Sequence, residues 1–225
     1  NGMKKVAEGA ELKYTTREES ADKIRVETFA QGFRLTRQAF VNDDLGAFAT
    51  IPATFAQDWN IVRGDGVWGL VTDNVTLADK KALFHADHAN LITGAAGALS
   101  EDSLAAAKTL LSRQKSLAGE RLRILPQFLV VPPELEMLAK KLVTQTTPAN
   151  ADDVNVFANA FDVIVEPRLE DTTAWYLFAD PYAVDALYYA YLEGDANLRV
   201  NTEENFNTDT MDYAVRGDFG TAAID

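Results

Sequence analysis

Charged and apolar positions alternate through Lys23-Ile24-Arg25-Val26-Glu27, and again through Phe33-Arg34-Leu35-Thr36 beyond a break at Gly32. A period of two belongs to a strand with one apolar face, so the pattern predicts extended, hairpin-like structure over residues 14–38. Asn42-Asp43-Asp44 then supplies a cap and first-turn acids for a helix. An apolar series follows through Leu45, Phe48, Phe55, Trp59 and Val62. Pro52 removes an amide donor, and Gly64, Gly66 and Gly69 weaken a helix, which predicts two helical pieces or a kink.

The clearest helix runs from Glu101 to Ala118. Ser100 caps it, Leu99 and Leu104 form a hydrophobic staple and Gly119 stops it. Leu104, Ala107, Leu110, Leu111 and Leu117 make its buried stripe. A short apolar strand, Phe128 to Val131, runs into Pro132-Pro133 and a second helix from Glu134 to Val143, where a proline at the first helical position costs no hydrogen bond. Beyond a polar linker at Thr144 to Asp153, strand-like runs dominate: Val163 to Val165, Trp175 to Phe178, Leu187 to Leu192, Leu198 to Val200 and Met211 to Ile224. The carboxyl third is therefore expected to form a sheet, and the pattern as a whole an α+β fold.

Charge narrows the function. With 34 acids against 21 bases the net charge of the 225 residues is −13, which repels polyphosphate and argues against a tight nucleic-acid binder. The aromatics at Trp175-Tyr176-Phe178 and Tyr188-Tyr189-Tyr191 lack the basic tracks of a base-stacking platform, and so read as sheet core or subunit contact. The absence of cysteine rules out disulfides, zinc-thiolate sites and thiol nucleophiles. No apolar run approaches the 18 residues of a membrane span, and residues 1–12 lack a signal peptide's apolar core, so a soluble chain is expected. Its start at Asn1, and a last dipeptide that reads as mid-strand, suggest a piece of a longer protein.

Candidate chemistry is thin. His85 and His88 flank Asp87 in LFHADHANL. The pair has a chelating spacing but no identifiable third ligand, and a small hydrolase built on His85, His88 and Asp87 has no GxSxG serine to serve. Asp218-Phe219-Gly220 spells a kinase tripeptide without the other kinase motifs. Paired acids such as Glu18-Glu19, Asp152-Asp153 and Glu203-Glu204 lie in polar stretches that suit a solvated face. No cofactor and no metal site is expected.

Five segments in order carry a resemblance: LTRQAFVNDDLGAF at 35–48, LFHADHANL at 83–91, FLVVPPELEMLAKKLV at 128–143, WYLFADP at 175–181 and RGDFGTAAID at 216–225. Together the chain resembles the major head subunit of Mu-like phages and prophages, a branch of the tailed-phage capsid family with the Hong Kong 97 type fold. The resemblance implies an amino arm remnant and E-loop hairpin over 1–40, a spine helix with peripheral-domain elements over 41–100, an axial domain over 101–160, and closing strands of the axial and peripheral sheets over 161–225. It implies a structural protein that self-assembles as pentamers and hexamers into an icosahedral shell around double-stranded DNA. Such a shell matures in the virion after assembly in the host cytoplasm, with a scaffold or prohead protease and a portal as further partners. An encapsulin-type compartment shell is the alternative within the same fold.

The apolar face of the amino strand is the expected inter-subunit contact: Lys23, Ile24, Arg25, Val26, Phe29, Phe33 and Leu35. A lone hairpin is marginal in water, so this arm is expected to make few contacts with its own chain and to gain order from a neighbour.

Overall fold

The computed structural model describes residues 24–42, 51–116, 119–144, 157–184, 186–194, 196–205 and 207–224. The chain divides into two compact units, one holding Lys80–Ala186 and the other Asp22–Asp79 with Leu187–Asp225. The boundaries that the resemblance implies fall elsewhere, at 40/41, 100/101 and 160/161. The difference at 160 has a plain cause, since the strand that follows it is a sheet partner of the strand at Phe128.

The second unit is a helix laid on an antiparallel sheet. Strand β1 (Glu27–Thr36) leads into a short helix α1 (Arg37–Val41), and α2 (Ile51–Thr72) packs on the sheet. From the other end of the chain come β5 (Leu187–Tyr191), β6 (Arg199–Asn205) and β7 (Thr210–Ala223). The 14-residue β7 is the central strand. On one side it pairs with all ten residues of β1, from Glu27↔Phe219 to Thr36↔Thr210. On the other it pairs first with β6 (Asn205↔Thr210 to Arg199↔Arg216) and then with β5 (Tyr191↔Phe219 to Leu187↔Ala223).

Two expectations change here. The described part of the extended segment is strand β1, paired along its whole length with a strand 174 to 192 positions away, and so it makes many contacts with its own chain where few were expected; the rest of the predicted hairpin, residues 14–23, lies outside the described part. Gly32 does not break the strand but sits in register opposite Ala214. The helix α2 is likewise unbroken. From Pro52 onward Ile51–Thr72 runs as one helix through Gly64, Gly66 and Gly69. Gly66 lets the helix approach β7, because a Cβ there would lie 3.0 Å from the Phe219 ring. The proposed cap at Asp43-Asp44, with Leu45 and Phe48, falls outside the described residues.

The first unit has its own three-stranded sheet in the order β3-β2-β4. Strand β2 (Pro126–Val131) pairs in parallel with β3 (Asp162–Val165) and antiparallel with β4 (Tyr176–Ala179). The carboxyl third thus feeds two sheets and not one. Helices α3 (Glu101–Ser112) and α4 (Glu136–Val143) pack on β2, and the core joins Leu99, Leu104, Leu129, Val131, Ala139, Val143, Phe157 and Phe161. The predicted cap is present as a reciprocal pair: Ser103 N donates to Ser100 Oγ at 3.2 Å and Ser100 N to Ser103 Oγ at 2.9 Å. Leu99 and Leu104 share the core, as the staple requires.

Helix α3 ends at Ser112, six residues before the expected stop. The Gln114 side chain donates to the carbonyls of His88 and Ala89 at 3.0 and 3.2 Å, and Lys115 bridges to Arg121, so the chain leaves the helical path early. Gly119, at φ +80°, serves the turn beyond. Leu117, placed in the stripe, lies outside the described residues.

Candidate assembly surface

Strand alternation gives the β1-β7-β5 sheet two different faces. Met211, Tyr213, Val215, Gly217, Phe219 and Thr221 of β7 share the face that α2 covers. Trp59 is the centre of this layer. Its ring lies edge-on to Phe29 at 6.2 Å and to Phe219 at 6.1 Å, with the Arg63 guanidinium 5.8 Å above it. Beneath it Gly217 leaves the necessary room, since a Cβ there would lie 2.7 Å from the indole. Arg63 Nη1 donates to the Tyr191 hydroxyl at 2.9 Å, and Thr221 Oγ1 to the Gly66 carbonyl at 3.2 Å, which ties the helix to both β5 and β7.

The seven contact residues read from the sequence part company on this frame. Phe33 stacks on Tyr213 at 4.7 Å and leans on Phe55 at 5.4 Å, so it is packed within its own unit. Leu35 is half-buried beside it in the strand, opposite Met211. Phe29 touches Trp59 yet keeps 38% of its surface open, and Val26 keeps 37%. Ile24 is half-buried, Arg25 is exposed, and Lys23 lies outside the described residues. Sequence reasoning missed the helix as the partner of this strand face, because period-2 alternation says that one face is apolar without saying what covers it.

The other face is polar. Thr28 Oγ1 donates to Asp218 Oδ1 at 2.5 Å, and Arg34 grips Asp212 with two bonds of 2.6 and 2.7 Å across the β1–β7 register. Hydrogen bonding to Arg34 holds the Asp212 carboxyl below its ordinary value of 3.8. The sign follows: a carboxyl lowered in the folded state stabilises the fold above the unfolded value, and that contribution is lost as pH falls below 3.8 through the folded value. Both groups are open to solvent, so the effect on stability is small. Arg34→Gln is expected to return the Asp212 carboxyl toward 3.8 in a carbon-detected NMR titration, leaving Asp171, whose carboxyl is lowered by Thr173 instead, unmoved.

His85, Asp87 and His88 belong to the first unit and form a local turn. The Asp87 amide donates to His85 Nδ1 at 3.1 Å, which makes that ring the cap of the short helical turn Ala86–His88. His88 Nδ1 faces the Leu83 carbonyl at 3.2 Å and therefore carries the proton there, while Asn90 Nδ2 donates to the same oxygen at 2.7 Å. Lys81 Nζ meets Asp87 Oδ2 at 3.0 Å, and its hydrogen bond is the main reason the Asp87 carboxyl is lowered. Among the described residues no three His, Asp or Glu side chains converge on a metal position. Both Nδ1 atoms are engaged in holding the turn.

Among the described residues no helix is long and apolar enough to cross a membrane. No curated protein sequence matches the chain. Solved structures do. The chain is similar to one from Microbacterium phage Oxtober96, at 12% identity and a TM-score of 0.56 over 89% of this chain and 67% of that one. It is similar to one from the Cyanophage Pam1 capsid asymmetric unit, at 11% identity and a TM-score of 0.57 over 100% and 78%. At such identities the likeness establishes the fold, the α+β Hong Kong 97 type of phage capsids. The family described as phage capsid protein matches residues 19–225, nearly the whole length, without singling out a Mu-like branch. A match of that extent makes the chain a member of the phage capsid protein family, a structural head protein of the virion.

Proposed function

We propose that this chain builds a closed icosahedral shell around double-stranded DNA through repeated contacts made by the start of β1, and that it belongs to the Mu-like branch on the strength of its five matching segments. In this reading Lys80–Ala186 is the axial domain, Asp22–Asp79 with Leu187–Asp225 the peripheral domain, and α2 the spine. Assembly takes place in the host cytoplasm with a scaffold or prohead protease and a portal. The DNA is enclosed without a tight grip, as the charge of −13 demands.

The observation that carries the contact is the division within β1. Its carboxyl half is packed under α2 through Phe33, whereas Phe29 near its start and Val26 just ahead of it remain more than a third exposed. Apolar side chains left open at the end of a strand, beside the exposed and basic Arg25, suit the acidic surface of the next copy, with charge supplying orientation more than affinity. Contacts of this head-to-tail kind close rings of identical subunits.

The test is the double variant Ile24→Asp/Val26→Asp in the full-length protein. Capsomers and shells are expected to vanish from sedimentation and electron micrographs while the subunit stays folded, its thermal midpoint falling by no more than about 5 °C, since Val26 is exposed and Ile24 only half-buried. Unfolding of the subunit, or normal shells, would refute the placement.

A further inference from the structure

We infer that Gly220 is a positioning residue for assembly: it sets the place of Ile24 and Val26 by letting the main chain of Arg25 cross over β7. The inference rests on the contact proposed above. Pairing of β1 with β7 ends at Glu27↔Phe219. One position further along β7, a Cβ on Gly220 would lie 2.3 Å from the Arg25 carbonyl oxygen, 2.9 Å from its carbon and 3.1 Å from Val26 Cα, where ordinary contact begins at 3.4 Å. Gly220 is not among the residues with positive φ. Its lack of a side chain therefore serves space and not backbone conformation, which is the common meaning of a glycine inside a strand.

Three glycines of this unit meet three different occupants. Gly66 makes room for the Phe219 ring and Gly217 for the Trp59 ring, both in the layer beneath α2. Gly220 makes room for main chain, far more tightly than Gly32 does beside the Tyr213 carbonyl at 3.3 Å, and the chain it admits is the segment carrying Ile24 and Val26. Its neighbours Phe219 and Thr221 face α2, so by alternation the vacant side of Gly220 is the other face. A side chain there displaces the crossing without entering the helix–sheet core. Backbone yields less readily than the end of a flexible side chain, so residues 24–26 must lift by roughly 1 Å, and close-packed contacts do not absorb such a shift. Repeated in every subunit, the error accumulates around a ring that closes only at one rotation.

Gly220→Ala and Gly220→Val in the full-length protein test this. Amide exchange at Glu27 to Ala30 is expected to speed up by about tenfold, the thermal midpoint to stay near the parent's, and closed shells to give way to free capsomers or misclosed particles, more completely for valine. Parent-like shells from both variants would overturn the inference. So would a fall in the midpoint with lost protection across α2 and the whole of β7, since Gly220 would then belong to the core. Where Ile24→Asp/Val26→Asp blocks assembly and the Gly220 variants do not, the contact stands and this inference alone fails. Where the double aspartate variant assembles normally, both fall.

Discussion

Trp59→Ala is expected to destabilise the second unit by about 3–5 kcal/mol, the range for deleting a large buried aromatic, and to lower its thermal midpoint by roughly 12–20 °C, at about 4 °C per kcal/mol for a unit of this size. Trp59 is 8% exposed and touches Phe29, Phe219 and Arg63. Its removal empties the space between α2 and the sheet. Gly217→Val, made alone, should cost about 1–3 kcal/mol by overpacking, because its Cβ would meet three atoms of the indole at 2.7 to 3.0 Å. The two changes share one space. Combined, valine at 217 fills part of the cavity, so the double variant is expected to be more stable than the sum of the singles predicts by about 1 kcal/mol or more. Additive costs in a urea-unfolding cycle would show that the ring and the glycine are not complementary.

Leu129→Ala is the counterpart in the first unit, with an expected cost of about 2–5 kcal/mol. Leu129 is 0% exposed at the middle of β2, held between β3 and β4 and covered by the α3–α4 side. A strand flanked on both sides collapses poorly around a lost side chain, which puts the cost toward the upper part of that range. Hydrogen exchange read peptide by peptide checks the assignment: protection should fall in α3, β2 and α4 well before it falls in β7. Loss that begins in β7 would contradict the division into two compact units.

Much of this architecture is legible in the sequence, and the failures share a cause. Strands β2, β3, β4, β5 and β7 stand where short apolar or alternating runs place them, and the cap at Ser100 is readable because capping is local chemistry between residues three apart. Pairing is not local. The alternation at Ile24 to Leu35 identifies a strand, but nothing in it names β7 as the partner, and the hairpin expectation follows from neighbourhood alone. Glycines were misread for the same reason. Gly66 and Gly32 look like helix and strand breakers until the Phe219 ring and the β7 register are seen beside them. The early end of α3 depends on the Gln114 side chain finding carbonyls some 25 residues upstream. The resemblance to phage head subunits reached the family without the geometry, yet only the geometry separates Phe33, packed inward, from Val26 and Phe29.

The order of synthesis gives the β1–β7 pairing a meaning in time. Lys80–Ala186 is a continuous run and can fold as soon as it is made, but Thr28 bonds to a residue 190 positions later. At about 5–20 residues per second a newly made β1 waits roughly 10–40 s for its partner strand. During that interval the strand has no sheet and Gly220 does not exist to carry the crossing at Arg25. If the contact at the start of β1 is the one proposed above, a subunit gains it only once β7 has been made, which withholds from the shell any growing chain that has not yet reached β7.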